Sequence, residues 1–467
     1  MYYEAESYPS PGLPVKDPCL SFWLQNTRSS SLLGYRTTES LPSSADVVII
    51  GSGLSGAATA YYLLAGSNAP KSVLMLEARE ACDGATGRNG GHCRPYVFQG
   101  HHEYKEIFGR EEALKISALE MANLHLMAEL IEKEQIDCDF WLGESFETCI
   151  DPEAANKKLR SYQEFKDDGG PLEGVVKLTT NVDEAKRTHT PVTAVTSTST
   201  SLSAHDPRLS TVEWIVTTPR GKVTANKVVF ATNAYTATLL PEFLGNIVPG
   251  QGQCAAIVPT PSFSGTRMME KTCCYHWGKD NFDYLIQRPK DGVIILGGGK
   301  ASASHPGAIL GCTNDSGRPD DGGKQAEITE YLKGAMGEYF VGWNESDYSS
   351  GSGAHPDQKR ESLRVGEGLL YDWTGIMGYT RDSQYAFRVF KRIPIIVIDI
   401  PFVGNVEGKP GAYVIAGHCG HGMARIASCA KGLATLMSGG SWLDTGLPGC
   451  FQPTKERMRD KKMETTT

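Results

Sequence analysis

The residues with the clearest chemical meaning form a glycine turn, Gly51-Ser52-Gly53-Leu54-Ser55-Gly56, directly after the β-branched run Asp46 to Ile50. A short buried strand that stops at glycine is expected there, and the small-residue stretch Ala57 to Ala65 reads as a helix. Gly51 permits the tight turn, Gly53 lets backbone N–H groups approach a pyrophosphate, and Gly56 allows the helix to pack closely on the strand. Ser52, Leu54 and Ser55 belong to the same turn, and the positive end of the following helix favours phosphate. Ser72 to Leu76 reads as a second strand, ending at Glu77, Ala78 and Arg79. A carboxylate at that tip accepts hydrogen bonds from ribose hydroxyls and repels a 2′-phosphate. The order strand, glycine turn, helix, strand, acid is a βαβ unit for a dinucleotide, and by itself does not separate FAD from NAD.

A second cluster follows at once: Gly84-Ala-Thr86-Gly-Arg88-Asn89-Gly90-Gly91-His92. Such a run offers many unblocked N–H donors and little side-chain bulk. Arg88 either pairs with a phosphate or acid or braces the loop, and His92 either faces a cofactor or is a hydrogen-bonded structural histidine. Here the sequence resembles the FAD-dependent oxidoreductases of the D-amino-acid oxidase, glycine oxidase and sarcosine oxidase superfamily. The resemblance is strongest to the fungal and bacterial branch akin to gamma-glutamylputrescine oxidase. It recurs in Val228 to Tyr235, in the segment Tyr284 to Pro289, in Gly297-Gly-Gly299, in Trp373 to Thr380, and in Gly417-His-Cys-Gly420-His421-Gly422-Met423. The resemblance implies that Ala231, Thr232 and Asn233 lie near the cofactor, that Val192 meets the adenine, and that the Gly417–Met423 loop and the helix after it face the flavin. It implies hydride transfer from a substrate C–N bond to flavin, hydrolysis of the resulting imine, and reoxidation by dioxygen. Some members bond flavin to a Cys in the segment that here reads Gly375 to Thr380; none stands there, so non-covalent FAD is expected. His92, Tyr379 and Arg381 are the candidate catalytic residues. Trp373 and Tyr284 are candidate pocket aromatics, and Arg288 is a second candidate for a substrate carboxylate.

The elements that must position these residues give an α/β fold. A Rossmann-like FAD-binding domain of the glutathione-reductase type is expected, with a mixed-sheet α+β substrate domain. The chain of 467 residues is long enough for two or three domains. Residues 1–44 read as an extended arm. Residues 45–150, 190–250 and 360–445 form the discontinuous FAD domain, 151–189 and 251–359 the substrate domain, and 446–467 a tail. An amphipathic helix is expected over 103–136, strands over 212–218, 222–230 and 413–416, and a hairpin from 283–286 with 293–296. Residues 151–190 show no clear pattern, and 196–204 read as a hairpin tip.

Two departures from the family touch the substrate side. Tyr385 to Ile400 reads as an insertion, because removing these sixteen residues joins Asp382-Ser-Gln384 to Pro401-Phe-Val-Gly404 in the family register. The competing reading is a genuine strand, since Ile395 to Ile400 is strongly β-prone. The substrate domain also looks shortened near residue 180. The leading expectation is an FAD-dependent amine or amino-acid oxidase. The alternatives are a dehydrogenase with another electron acceptor and a degenerate FAD-binding protein.

Composition limits the remaining classes. The net charge is −8 without a polybasic patch, which argues against a nucleic-acid partner. No apolar run reaches a membrane span, and no address signal is present, so a cytoplasmic protein is expected. The twelve Cys contain no C-x-x-C pair, so no metal site is expected and the thiols read as reduced. Of the 51 Gly, about 11% of the chain against a usual 7% or so, ten (Gly51, Gly53, Gly56, Gly84, Gly87, Gly90, Gly91, Gly417, Gly420 and Gly422) stand where a backbone should approach a dinucleotide.

Overall fold

The computed structural model describes residues 10–179, 213–278, 281–299, 319–340, 342–343, 363, 365–380 and 399–458. Val192, Arg381, residues 196–204 and residues 385–398 of the expected insertion lie outside the described residues.

Two sheets organise the chain. The first holds β1 (Ser44–Ile50), β2 (Val73–Leu76), β4 (Trp214–Thr218), β5 (Gly221–Phe230), β11 (Phe402–Asn405) and β12 (Ala412–Ala416). Its order is β11-β12-β5-β1-β2, with β4 also on β5. β1 runs parallel to β2 and β5, and β12 parallel to β5, while β4 and β11 are antiparallel additions. β1 is buried on both faces. Val47 and Ile49 join one core with Ala58 and Leu63, and Val48 joins the other with Val228, Phe230 and Phe402. That two-sided burial is why the strand reads as a continuous β-branched run. The helix α2 (Leu54–Ala65) and the C-terminal helix Ile426–Met437 cover one face.

The second sheet holds β3 (Ser145–Cys149), β6 (Ile247–Val258), β7 (Thr272–Gly278), β8 (Asn281–Gln287), β9 (Ile294–Gly297) and β10 (Gly368–Thr380), in the order β10-β6-β9-β8-β7-β3. It is antiparallel except where β3 runs beside β7. The expected hairpin is β8 with β9, Leu285 facing Leu296. The helix Ala326–Tyr339 covers this sheet through Ile328, Leu332 and Met336.

Three elements differ from the sequence reading. The helix expected over 103–136 is two helices, α3 (His101–Phe108) and α4 (Arg110–Lys133). Gly109 between them has φ +82°, which no continuing helix can accommodate. The unpatterned stretch after 150 contains α5 (Pro152–Asp167), started by Asp151, whose side chain accepts from Ala154 N at 2.8 Å. The arm is not simply extended. It carries the one-turn helix α1 (Phe22–Gln25), and Phe22 packs against Trp373 at 6.4 Å between ring centroids. At the other end, Leu447 and Phe451 enter the core of the first sheet, so residues 446–458 are part of the packed body. Ile400, the last residue of the expected insertion, is fully buried in the same core. Among the described residues no helix is long and apolar enough to cross a membrane.

Candidate active site

The C-terminal end of β1 opens into a cavity of about 590 Å³. Gly51 has φ +106°, and a Cβ there would lie 2.6 Å from the Ala231 carbonyl oxygen. A Cβ on Gly56 would lie 2.0 Å from the Gly51 carbonyl oxygen, so helix and strand meet at a distance only glycine permits. Gly53 sits against the Thr86 hydroxyl, which accepts from Leu54 N at 2.9 Å and so caps the first turn of α2. Glu77 accepts from Ser52 N and Ser52 Oγ through one oxygen, and from Ala78 N and Arg79 N through the other. The exposed carboxylate is therefore locked in place at the mouth of the glycine turn.

The second glycine run is braced from beneath. Arg88 donates to Asp83 Oδ1 at 2.7 Å, to Cys19 O at 2.6 Å and to Thr374 O at 3.2 Å. Arg79 engages Asp321 with two donors, at 2.8 and 2.9 Å, and Asp83 at 2.9 Å. These two cations and two anions form a buried square tying the arm, the glycine run and the loop before Ala326–Tyr339. Arg88 thus braces the loop. Asn89 closes the turn through Thr86 O and Gly91 N, and Gly91 itself has φ +82°. Gly90 lies so near Tyr284 that a Cβ would fall 2.3 Å from the ring.

After the bend at Gly91 the chain runs from His92 to Tyr96 without bend or turn, and alternate residues Gly90, His92, Arg94 and Tyr96 line the cavity. His92 Nδ1 lies 3.2 Å from Gly90 O, and its ring meets the Tyr284 ring edge-on at 5.4 Å. Burial pulls the imidazole down to about 4, against the Gly90 carbonyl, so His92 is neutral at neutral pH. Tyr379 reaches the cavity beside Met377, its hydroxyl 3.7 Å from the Met377 sulfur. Trp373 does not line it: fully buried, it donates to Arg88 O. Arg288 is also elsewhere, paired with Asp139 and Asp291 and lying over Phe22.

The C-terminal glycine loop closes the cavity opposite α2. Asn233, in a left-handed conformation at φ +41°, accepts from Gly417 N and His418 N, so its side chain shapes the loop. Ala231 and Thr232 line the cavity at the end of β5. Gly420 has φ +77°, and Gly422 begins a short 3-10 turn that leads into the helix Ile426–Met437. His418 lies 3.2 Å from Ser55 Oγ, its Nδ1 is buried without a partner among the described residues, and burial drops it to about 3. His421 stacks on Tyr96 with centroids 3.8 Å apart and meets Glu120 of α4 at 3.0 Å. Burial alone would raise Glu120, but Arg425 and His421 outweigh it and hold the carboxyl at about 2. Asn123, one turn on, donates to Met423 O at 3.1 Å.

Beyond Tyr96 the cavity ends in a charged chamber between α5, β3 and β7. Glu147 accepts from Arg94 at 2.6 Å, Gln99 at 2.7 Å, Lys158 at 2.5 Å and His276 at 2.6 Å. Burial by itself would lift this carboxyl, but Arg94, His276 and Lys158 hold it well below its usual range. Cys274 is beside His276, its thiol pushed up to about 12 by burial.

Most of the expected cofactor residues thus line one cavity, together with His92 and Tyr379; Ser52, Leu54, Gly56, Gly91 and Gly417 do not line it. The sequence reading did not anticipate Tyr96, Glu120, Asn123, Glu147 or Lys158, and it took His418 only as part of the Gly417–Met423 loop. Glu120 and Asn123 left a trace, polar positions inside the buried stripe Ile116, Leu119, Met127 of α4. Glu147 and Lys158 left none, because their meeting depends on how β3 and α5 pack.

Known proteins place this architecture. The probable oxidoreductase OrdL of Haemophilus influenzae is 33% identical over 99 residues, 21% of this chain and 22% of that protein. The gamma-glutamylputrescine oxidoreductase of Escherichia coli is 29% identical over 122 residues, 26% of this chain and 27% of that protein. The matched segment therefore spans about a quarter of each curated relative. An L-amino acid deaminase from Proteus vulgaris, lacking its specific insertion, shares the fold at a TM-score of 0.53 with 16% identity, covering 88% of this chain and 94% of that one. The FAD dependent oxidoreductase family matches residues 46–436, and to that family the chain belongs.

Proposed function

We propose that this FAD-dependent oxidoreductase oxidises the C–N bond of an amine or amino acid, with dioxygen as the electron acceptor. The observation that carries the reading is one cavity that runs from the glycine cradle, past His92, Tyr284 and Tyr379, into the charged chamber. The cradle fits FAD because Gly53 and Gly84 line it without side chains, a Cβ at Gly84 meeting nothing within 4 Å, and because the buried His418 Nδ1 lacks a partner among the described residues. In this reading Gly51, Gly53 and the start of α2 hold the pyrophosphate, Glu77 the ribose, and the loop from Gly417 to Met423 the ring system. FAD bound there supplies the two-electron acceptor. The residues of the chain bind, orient and exclude water. The Tyr284 ring, held between Gly90 and Gly297, and the neutral His92 form the wall against which a substrate carbon packs. A neutral His92 leaves a substrate amine unopposed by a cation at that point. The backbone N–H groups that begin at Gly422 stabilise negative charge developing on a bound ring. The absence of a Cys in Gly375 to Thr380 supports non-covalent attachment.

The test is anaerobic mixing of the flavin-loaded protein with a panel of amines and amino acids. Substrate-dependent bleaching at the flavin band, followed by stoichiometric peroxide on admitting air, is expected. Bleaching without peroxide overturns the acceptor, and no bleaching across the panel overturns the reaction.

A further inference from the structure

The charged chamber is not explained by holding a cofactor. Glu147 is saturated: its two oxygens accept four hydrogen bonds, from Lys158, His276, Arg94 and Gln99. The donors around it are not. Arg94 places one N–H on Ser145 Oγ and one on Glu147, of the five that a guanidinium carries. Lys158 spends one of its three, and Lys157 stands 3.4 Å from Glu103 without a hydrogen bond among the described residues. Besides Glu77 at the glycine turn, two further carboxylates line the cavity: Glu103, which faces Lys157, and Asp399, which lies in the field of Arg425. Glu147 therefore acts as a hub that orients cationic donors whose remaining hydrogens have no acceptor among the described residues. A metal at Glu147, Cys274 and His276, whose donor atoms lie within 4.8 Å of one another, would have to displace Lys158 from Oε1 or Arg94 from Oε2 of the carboxylate.

We propose that Arg94, Lys157 and Lys158 form an anion subsite for a carboxylate that the substrate carries at a distance from the C–N bond. The proposal rests on the function given above, with His92 beside the reacting carbon. Arg94 is two residues further along, roughly 7 Å at a strand's rise per residue. An α-carboxylate is too close to its own amine to span that distance, whereas an acid several carbons away reaches it. The substrate class is then an ω-amino acid or another amine with a remote acid, not a simple alkylamine.

The experiment compares 6-aminohexanoate with hexylamine as reductants of the flavin-loaded protein. It also titrates glutarate against glutaramide by perturbation of the flavin absorbance, which needs no turnover. Half-saturation at a concentration at least tenfold lower for each acid than for its neutral partner is expected. That preference should collapse in Lys158→Gln and in Lys157→Gln, both checked for an unchanged melting curve. Equal binding of acid and neutral partner, or a preference untouched in both variants, overturns the proposal. Bleaching by every amine alike sinks the subsite and leaves the reaction standing. Glutarate binding without any bleaching sinks the reaction and leaves the subsite. Stoichiometric Zn²⁺ binding lost in His276→Ala also overturns it.

Discussion

A single hydrogen-to-methyl change at Gly56 tests the cradle at the residue scale. The added Cβ would sit 2.0 Å from a backbone oxygen that cannot swing away. Gly56→Ala should therefore separate α2 from β1, lower stability by about 2 kcal/mol or more, and purify without flavin. The absorbance ratio of the flavin band to the protein band reports the second effect, and a retained wild-type ratio would contradict the cradle geometry. Arg88 is a case of a different kind. Its charge is spent on Asp83, Asp321 and three carbonyls, so Arg88→Met leaves two buried carboxylates with one guanidinium. A loss on the order of 3 kcal/mol in urea unfolding is expected. If the variant instead keeps its stability and weakens only FAD binding, the residue contacts phosphate after all.

At the scale of elements, α4 reaches the C-terminal glycine loop through two adjacent turns. Glu120 holds His421, Arg425 and Tyr96 N, and Asn123 holds Met423 O and Ser428 N. Glu120→Gln should leave Arg425 buried without its carboxylate partner and free the His421 ring from one side. The expected outcome is at least tenfold weaker FAD binding, read by quenching of flavin fluorescence, with helix content unchanged. Unaltered FAD affinity would show that the loop is set by its own glycines. Much of this level was legible in the sequence where one element carries both pattern and chemistry. β1, its glycine turn and Glu77 announce themselves because a fully buried strand, a φ-positive turn and a terminal acid follow in order. The hairpin β8–β9 does so through its turn residues. Elsewhere the information is spread over the chain. β6 and β10 pair along their length yet are far apart in sequence, and α5 is marked only by Asp151 and Pro152. Gly109 was visible, but its effect depends on a backbone angle that composition does not state. The charged chamber needed three elements to be placed before its residues could be seen as neighbours.

Across the whole molecule, the buried ionisable groups share one consequence for pH. His418, only 5% exposed, titrates at about 3 in the fold against 6.5 when unfolded, and His92 at about 4. The unfolded chain binds these protons first, so stability is highest above pH 6.5 and falls as the pH drops below it. His418 contributes a slope of roughly 1.4 kcal/mol per pH unit from 6.5 downward. Glu120, depressed from 4.5 to about 2, adds its own loss only as the pH falls through that lower range. The unfolding midpoint should thus decline between pH 7 and pH 5, before ordinary carboxylates titrate, and less steeply in His418→Gln. A flat profile over that interval would contradict the assignment of buried neutral histidines.

The two sheets and the arm wall one cavity, and its glycine-lined end is the site proposed for non-covalent FAD. The most direct measurement is the flavin content of the purified protein before and after acid precipitation. One FAD per chain, recovered intact in the acid supernatant over a colourless pellet, is the predicted result. A protein that purifies without flavin and takes up none on incubation would contradict the account, and yellow colour retained on the pellet would contradict its non-covalent form.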